Sequence, residues 1–263
     1  MIEINRGNQN LGLTPIIKDF YEKKSKIYSD SINQEILVSI IILNWNKKDL
    51  TRNCLNSILK NTEYPYYEII VVDNGSNDGS PQMIKNEYPM VKLIENKRNL
   101  GFSKGNNIGI KYSKGDYIFL LNNDTEVTNN WLNSAVKVAN SSSKIGIVGC
   151  KLLFPDGKIQ HAGGWMDERA MGHLYGYGEV DKGQYNKIYE VEFVSGAAML
   201  IKKEVIDKIG LLDEGFSPAY KEKSRNGIYN EKKLIEVYIF KFFQENHFHT
   251  RIKRNKRIIF FYN

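Results

Sequence analysis

Three short polar clusters follow three apolar runs, each placed where a strand would end. Residues 36–43 (ILVSIIIL) lead into Asn44, Trp45 and Asn46. Residues 68–72 (EIIVV) lead into the turn-rich octet 73–80 (DNGSNDGS), and residues 116–121 (DYIFLL) into Asn122, Asn123 and Asp124. Ligands of open α/β sheets sit in the crevice outside the carboxyl ends of the strands. Three strands carrying Asn and Asp to that edge describe a site for a polar, hydroxyl-rich ligand, with one carboxylate left for a metal.

Each cluster has its own chemistry and its own plainer explanation. The amides of Asn44 and Asn46 offer donors and acceptors to a base or ribose, but Asn46 could equally cap the next helix. Asp73, directly after a buried strand, suits a ribose hydroxyl or a base imide. Asn74 and Ser76 follow it in tight Asn-Gly and Asp-Gly turns that let backbone approach a ligand. The same octet would also serve as a turn and a helix cap. In residues 99–107 (NLGFSKGNN) a glycine-spaced helix entry leaves free N–H groups that favour anions, and Lys104 adds charge near a diphosphate. A bland helix start fits as well. That segment is neither a P-loop nor a dinucleotide fingerprint, because Gly101, Gly105 and Gly109 fall in steps of four. Asp124 weighs most: a carboxylate ending a buried strand costs desolvation energy unless something such as Mg²⁺ on a diphosphate offsets it. Capping of the helix near residue 129 is its alternative.

The elements needed to position these residues are legible in the alternation of the chain. Strand patterns at 37–43, 67–72, 91–94 and 116–121 alternate with helix patterns at 49–60, from Ser80, at 103–113 and at 129–139. That rhythm predicts βαβ units and a mostly parallel sheet. Beyond residue 150 the pattern loosens into turns and a Gly- and aromatic-rich span, 163–183. A strand-like segment at 189–201 and a helix stopped by Gly210 follow.

Composition narrows the classes. Of 263 residues, 41% are hydrophobic and 25% charged, ordinary for a globular protein. No apolar run reaches the 18–20 residues of a membrane span, and the N-terminus lacks a signal-peptide layout, so a cytoplasmic location is expected. The net charge of +7 resides in residues 221–263, with 11 Lys and Arg against 4 Asp and Glu. The remainder balances 26 against 26, which argues against nucleic-acid binding by the body. Cys54 and Cys150 match no metal or redox spacing, the four histidines suggest no zinc site, and no Gly-x-Ser-x-Gly is present.

In order and spacing, six segments resemble family 2 glycosyltransferases of the GT-A fold, in the rhamnosyltransferase-like subgroup. They are VSIIILNWN (38–46), VVDNGSNDGS (71–80), NLGFSKGNN (99–107), LLNNDTEV (120–127), IQHAGG (159–164) and VSGAAMLIKKEVIDKIGLLDEGF (194–216). The resemblance covers residues 37–220. It implies a Rossmann-type α/β/α sandwich around a mostly parallel sheet, with residues 1–35 as an extension and 36–220 as the transferase domain. It further implies an inverting transfer from a nucleotide-diphosphate sugar to a glycan or lipid-linked acceptor in cell-surface polysaccharide or cell-wall synthesis. Donor contacts would come from Asn44, Asn46, Asp73, Asn74, Ser76, Lys104, Asn122 and Asn123. Asp124 would carry Mg²⁺ or Mn²⁺, and His161 and Trp165 would flank the sugar or acceptor. Asn122 stands where many relatives carry the first Asp of Asp-x-Asp.

The likeness breaks after Tyr220. Relatives continue with Glu-Asp, whose Asp is the expected base; here Glu222 is followed by Lys223. An ammonium accepts no proton at neutral pH unless its pKa falls by several units. Three functions therefore stand: a transferase with Glu222 or another carboxylate as base, a remnant that binds nucleotide sugar without transfer, and, more remotely, a sugar nucleotidyltransferase. Residues 221–263 are either a frame-shifted or truncated end, or a basic-aromatic tail that rests on anionic lipid at the inner face of the membrane.

Overall fold

The computed structural model describes residues 15, 36–168 and 171–214, and the backbone of 257–261. The expected base Glu222, the expected 1–35 extension and nearly all of the basic tail with its membrane contact lie outside the described residues. Strand β1 (Val38–Asn44) is apolar on both faces and buried along almost its whole length. Such two-sided burial is the mark of a central parallel strand covered by helices on either side. It is followed by α1 (Lys48–Asn61), β2 (Tyr67–Asp73), α2 (Ser80–Glu87), β3 (Lys92–Glu95), α3 (Phe102–Tyr112), β4 (Tyr117–Asn122) and α4 (Trp131–Asn140). The remaining elements are β5 (Ile145–Cys150), β6 (Leu152–Leu153), β7 (Ile159–His161), β8 (Gly164–Met166), β9 (Gly172–Leu174), β10 (Tyr189–Glu190), β11 (Ala198–Lys202), α5 (Lys203–Ile209) and β12 (Arg257–Phe261).

The main sheet runs β10-β12-β5-β11-β4-β1-β2-β3. Strands β1 to β4 are mutually parallel, as are β12 and β5, while β11 runs antiparallel between β4 and β5. Because β2 and β3 lie on one side of β1 and β4 on the other, the order reverses at β1. Such a switch point opens a crevice at the carboxyl edge.

Alternate residues of the strands feed two cores. Val38, Ile40, Ile42, Val71, Phe119 and Leu121 pack with Leu55, Ile58, Ile84 and Leu132 of α1, α2 and α4. The Phe119 ring meets Trp131 edge to face at 4.7 Å. On the other face Ile41, Ile70, Val72, Ile118 and Leu120 pack with Ile110 of α3, Val205 of α5 and the irregular segment around Ile159 and Val194. The four-residue glycine step of α3 has a steric reason. A Cβ on Gly105 would stand 2.3 Å from Leu43 Cδ1, and one on Gly109 2.5 Å from Ile41 Cγ2. These glycines let α3 lie directly on β1.

From β5 onward the structure departs from the sequence pattern, with the short strands β6 to β9 standing where only turns were expected. The expected strand 189–201 is two strands, β10 and β11, separated by a stretch in which Phe193 and Val194 turn into the core and Ser195 bonds His161. Strand β5 had no counterpart in the pattern, because Gly146 and Gly149 interrupt its apolar run. Gly149 is needed there: a Cβ would fall 2.3 Å from Val194 Cγ1.

Candidate functional site

Strand register delivers the polar clusters to one edge. Asn44 pairs with Asp73 across β1 and β2, Leu43 with Asn122 across β1 and β4, and Asp73 with Glu95 across β2 and β3. The ends of the strands are therefore level at the switch point, where a one-residue slip would turn each side chain to the other face.

Asn44 is completely buried and is the centre of a knot. Its Nδ2 donates to Asp73 Oδ2 at 2.7 Å and to Ser76 Oγ at 3.2 Å. Its Oδ1 accepts from Thr51 Oγ1 at 2.7 Å and from Asn123 Nδ2 at 3.0 Å. Asn123 also donates to Thr51 Oγ1 at 3.0 Å. Asp73, 1% exposed, takes backbone N–H bonds from Gly75 and Ser76 on its second oxygen. Gly75 adopts φ +76°, and a Cβ there would meet the Arg98 backbone at 2.8 Å, so the turn demands glycine on both counts. Asn74 is equally enclosed: its Nδ2 donates to Asn99 Oδ1 and to the Gly101 carbonyl, and its Oδ1 accepts from Asn96. Asn44, Asp73, Asn74 and Asn123 thus spend much of their hydrogen-bonding capacity on one another and on backbone. They build the floor of the crevice.

The rim is different. Trp45 is 52% exposed at the end of β1. Asn46 adopts a left-handed φ of 50°, its N–H donates to Ser76 Oγ, and its Oδ1 accepts from Asn77 N. Asp78 caps two helices at once, accepting from Lys48 N of α1 and from Ser80 N and Oγ of α2. Burial pushes its carboxyl up, but these bonds outweigh burial and hold it below the usual carboxylate range. At the entry of α3, the Gly101 carbonyl is tied to Asn74, which sets the first turn of that helix beside the end of β2. Lys104 is half exposed, with Nζ 3.9 Å from Glu214 Oε2. Asn107 of the same helix fastens residues 212–214 by bonds to Leu212 N, Leu212 O and Glu214 Oε1.

Asp124 corrects one premise of the sequence argument. It lies in a turn closed by Thr125 N to Asn122 O at 3.2 Å, and it is exposed. Burial therefore supplies no desolvation cost for a cation to offset. Among the described residues no group of three or more His, Cys, Asp or Glu gathers to hold a metal. A solvent-facing carboxylate still suits Mg²⁺ or Mn²⁺, which commonly take one or two carboxylates and leave their other positions to phosphate and water. Beneath this turn, Cys54 donates to the Asn122 carbonyl. Burial first, and then the charges of Asp124 and Glu126, push its thiol far up, so it is an uncharged core group.

The wall beside β4 comes from the segment between β5 and β11. Asn122 N donates to the Ala197 carbonyl, and Ser195 N donates to His161 Nε2 at 3.0 Å. His161 is fully buried, with its ring 6.3 Å from that of Phe193. Trp165, four residues on, is exposed. The two residues expected on the acceptor side thus separate into an enclosed one and a solvent-facing one. Lys151, with no exposed side-chain surface, anchors the outer part of this segment through Asp181 at 2.5 Å and Asn186 at 2.6 Å. Spacing alone had not singled out Trp45 on the rim, Thr51 in the knot or Asn107 on α3. An exposed indole inside a polar cluster was the signal available for Trp45.

Comparisons with known proteins agree with this geometry. The family model described as Glycosyl transferase family 2 matches residues 39–210. O-antigen biosynthesis protein RfbC of Myxococcus xanthus is 30% identical over 195 residues, covering 68% of this chain and 15% of its own length. An uncharacterized protein of Sinorhizobium fredii, y4gI, is 35% identical over 189 residues, or 68% of this chain and 21% of its own. The chain thus spans about a fifth or less of the length of these two relatives. The mannosyltransferase PcManGT of Pyrobaculum calidifontis, solved with GDP-Man and Mn²⁺, superposes with a TM-score of 0.57 at 15% identity, covering 92% of this chain and 61% of its own. S. aureus TarS (1–349) superposes at 0.56, also at 15% identity, covering 86% and 58%. At such identity the structural likeness speaks for the fold alone. With more than half of the chain inside the matched span and its strands in this order, the chain belongs to glycosyltransferase family 2 and has the GT-A fold.

Proposed function

We propose that the crevice at the carboxyl ends of β1, β2 and β4 binds a nucleoside-diphosphate sugar and that the chain transfers the sugar, with inversion, to a glycan or lipid-linked acceptor. The observation that carries this reading is the level edge at the switch point, where Asn44, Asp73 and Asn122 end adjacent strands and Asp124 follows into solvent. The fold shared with PcManGT, solved with GDP-Man and Mn²⁺, supports it. So does the likeness to RfbC, whose name places that relative in O-antigen biosynthesis.

In this reading the knot around Asn44 holds the strand ends rigid before the donor arrives, so that no ordering cost falls on binding. Trp45 offers its exposed face to the base, and Asn46 and Ser76 edge the same turn. Lys104 and the first turn of α3 lie toward the diphosphate. Mg²⁺ or Mn²⁺ at Asp124 would supply charge neutralisation to the departing nucleoside diphosphate. Asn122 would serve beside it as a neutral oxygen donor. Glu222 is the proposed base, taking the proton from the acceptor hydroxyl.

The test is nucleotide binding with and without Mn²⁺. Calorimetry with GDP, UDP and dTDP should show a dissociation constant at least tenfold tighter with the cation, and Asp124→Ala should abolish that gain while leaving unfolding unchanged. Broadening of the Trp45 indole resonance by bound Mn²⁺, lost in the same variant, reads the cation without turnover. No nucleotide affinity in either condition would sink the proposal. A second reading, binding without transfer, is favoured by Lys223 at the position where relatives place the base. Tight donor binding with no sugar released or transferred would select it.

A further inference from the structure

The β8–β9 hairpin carries two faces of opposite character. Gly164 pairs with Leu174, Trp165 with His173 and Met166 with Gly172. Side chains alternate across such a pair, so Gly164, Met166 and Gly172 share one face, and Trp165 and His173 share the other. The first face sits on Phe193. A Cβ on Gly164 would come within 2.1 Å of the Phe193 ring, and one on Gly172 within 3.3 Å. Backbone bonds joining Gly164 to Glu192 and Phe193, and Met166 N to Glu192 Oε2 at 2.7 Å, fasten the same side. The hairpin is therefore held from beneath.

That outer face displays a prepared aromatic surface. The Trp165 and His173 rings stack with centroids 4.5 Å apart and planes 18° apart. His173 Nε2 lies 3.1 Å from Asp167 Oδ2, which fixes the imidazole from the side. His173 stacks on one face of the indole, and Trp165 as a residue remains 41% exposed. The hairpin hangs from residues 192–193. Two residues further on, Ser195 bonds His161, and Ala197 bonds Asn122 at the crevice. An exposed indole, stacked on His173 and carried by a hairpin that is tied to the segment walling the crevice, suits a flat, partly apolar partner.

We infer that Trp165, backed by His173 and Asp167, is a platform on which a pyranose ring of the acceptor glycan stacks. The apolar C–H face of a pyranose matches the electron-rich face of an indole, while its hydroxyls remain free for solvent and for the polar rim. This inference rests on the transferase reading above, and it adds what that reading leaves open: a substrate whose reacting residue is presented by a sugar ring, not by a lipid chain.

The experiment follows the indole N–H resonances of Trp45, Trp131 and Trp165, assigned with single Phe variants, in the full chain. Methyl α- and β-pyranosides of glucose, galactose, N-acetylglucosamine and rhamnose are titrated first, then GDP with Mn²⁺, then GDP-mannose with Mn²⁺. The expected result is saturable movement of the Trp165 signal by at least one glycoside, with Trp45 unmoved. Trp165→Ala should weaken that glycoside by roughly two- to tenfold or more, the worth of an aromatic contact, with an unchanged urea midpoint. Asp167→Asn should weaken it without unfolding, which covers the case in which the alanine variant does not fold. Movement of Trp165 by no glycoside overturns the platform, as does movement by GDP-mannose alone, which would assign the ring to the donor sugar. A response of Trp45 to GDP and Mn²⁺ is independent of both outcomes, so failure of the platform and failure of the transferase reading are told apart.

Discussion

Replacing Asn44 with Asp changes one heavy atom and reverses the logic of the crevice floor. Asn44 Nδ2 lies 2.7 Å from Asp73 Oδ2 in a fully buried position. Two ionised carboxylates at that distance would repel by about 6 kcal/mol, even at an effective dielectric constant near 20. Keeping a proton on an unperturbed carboxyl costs less: about 4 kcal/mol at pH 7, from a reference pKa near 3.9 and 1.36 kcal/mol per pH unit. The variant pair therefore shares a proton, and the protonated form restores the donor that Asn44 supplied. Its folded pKa lies above the unfolded value, so the pair's contribution is complete below about pH 4 and is lost as pH rises toward the folded value. Urea unfolding of Asn44→Asp and the parent at fixed ionic strength should show a stability gap that widens by about 3 kcal/mol between about pH 5 and about pH 7.5. A gap that stays constant over that range would refute the reasoning, since the two oxygens could not then be confronting each other in a dry knot.

Three further outcomes follow from packing and charge elsewhere. In Gly109→Ala the new methyl meets Ile41 Cγ2 at 2.5 Å. Overpacking of about 1–3 kcal/mol should outweigh the gain of roughly 1 kcal/mol in helix propensity, giving net loss in a denaturant melt. Gly164→Ala drives a methyl into the Phe193 ring and should cost about 1–3 kcal/mol; the Trp165 indole resonance should shift while that of Trp45 stays. Asp181→Asn leaves the enclosed Lys151 ammonium without its carboxylate, and unfolding free energy should fall by about 3 kcal/mol near neutral pH. The Lys151 hydrogen bond, against burial, holds the Asp181 carboxyl below its ordinary range. Its contribution is therefore present above about pH 4 and disappears as pH falls through the lower folded value, so parent and variant should converge in acid.

Much of the sheet was legible because parallel strands buried on both faces write long apolar runs, and β1, β2 and β4 do so. Their polar ends were legible for the same reason, as abrupt stops in those runs. What spacing did not reveal is which way each polar group faces. Asn44, Asp73 and Asn74 look alike to Asn46 and Asp124 in the sequence, yet the first three are enclosed and the last is exposed. Much of the difference arises from partners 20 to 80 residues away, Ser76 and Asn123 for Asn44 and Asn99 for Asn74, which no local pattern encodes. Strand β5 was hidden by Gly149, whose reason is the Val194 side chain 45 residues downstream.

The division between an enclosed floor and an open rim carries a consequence for specificity. A floor residue such as Asn44 has its donors and acceptors already engaged, so its substitution should damage every donor alike, through geometry. Rim groups such as Trp45, Asn46, Lys104 and Asp124 keep exposed surface, and changes there should separate one base or cation from another. The hairpin that carries Trp165 is a third unit, bonded to residues 192–193 and seated on Phe193. Under the platform proposal, variation on its outer face alters acceptor choice without disturbing the floor or the rim. Exchanging Trp165 and His173 together should change which glycosides bind while nucleotide affinity and the Asn44 knot stay as they are. A loss of nucleotide affinity in that exchange would mean that hairpin and crevice are one cooperative unit, and that donor and acceptor recognition are not separable in this fold.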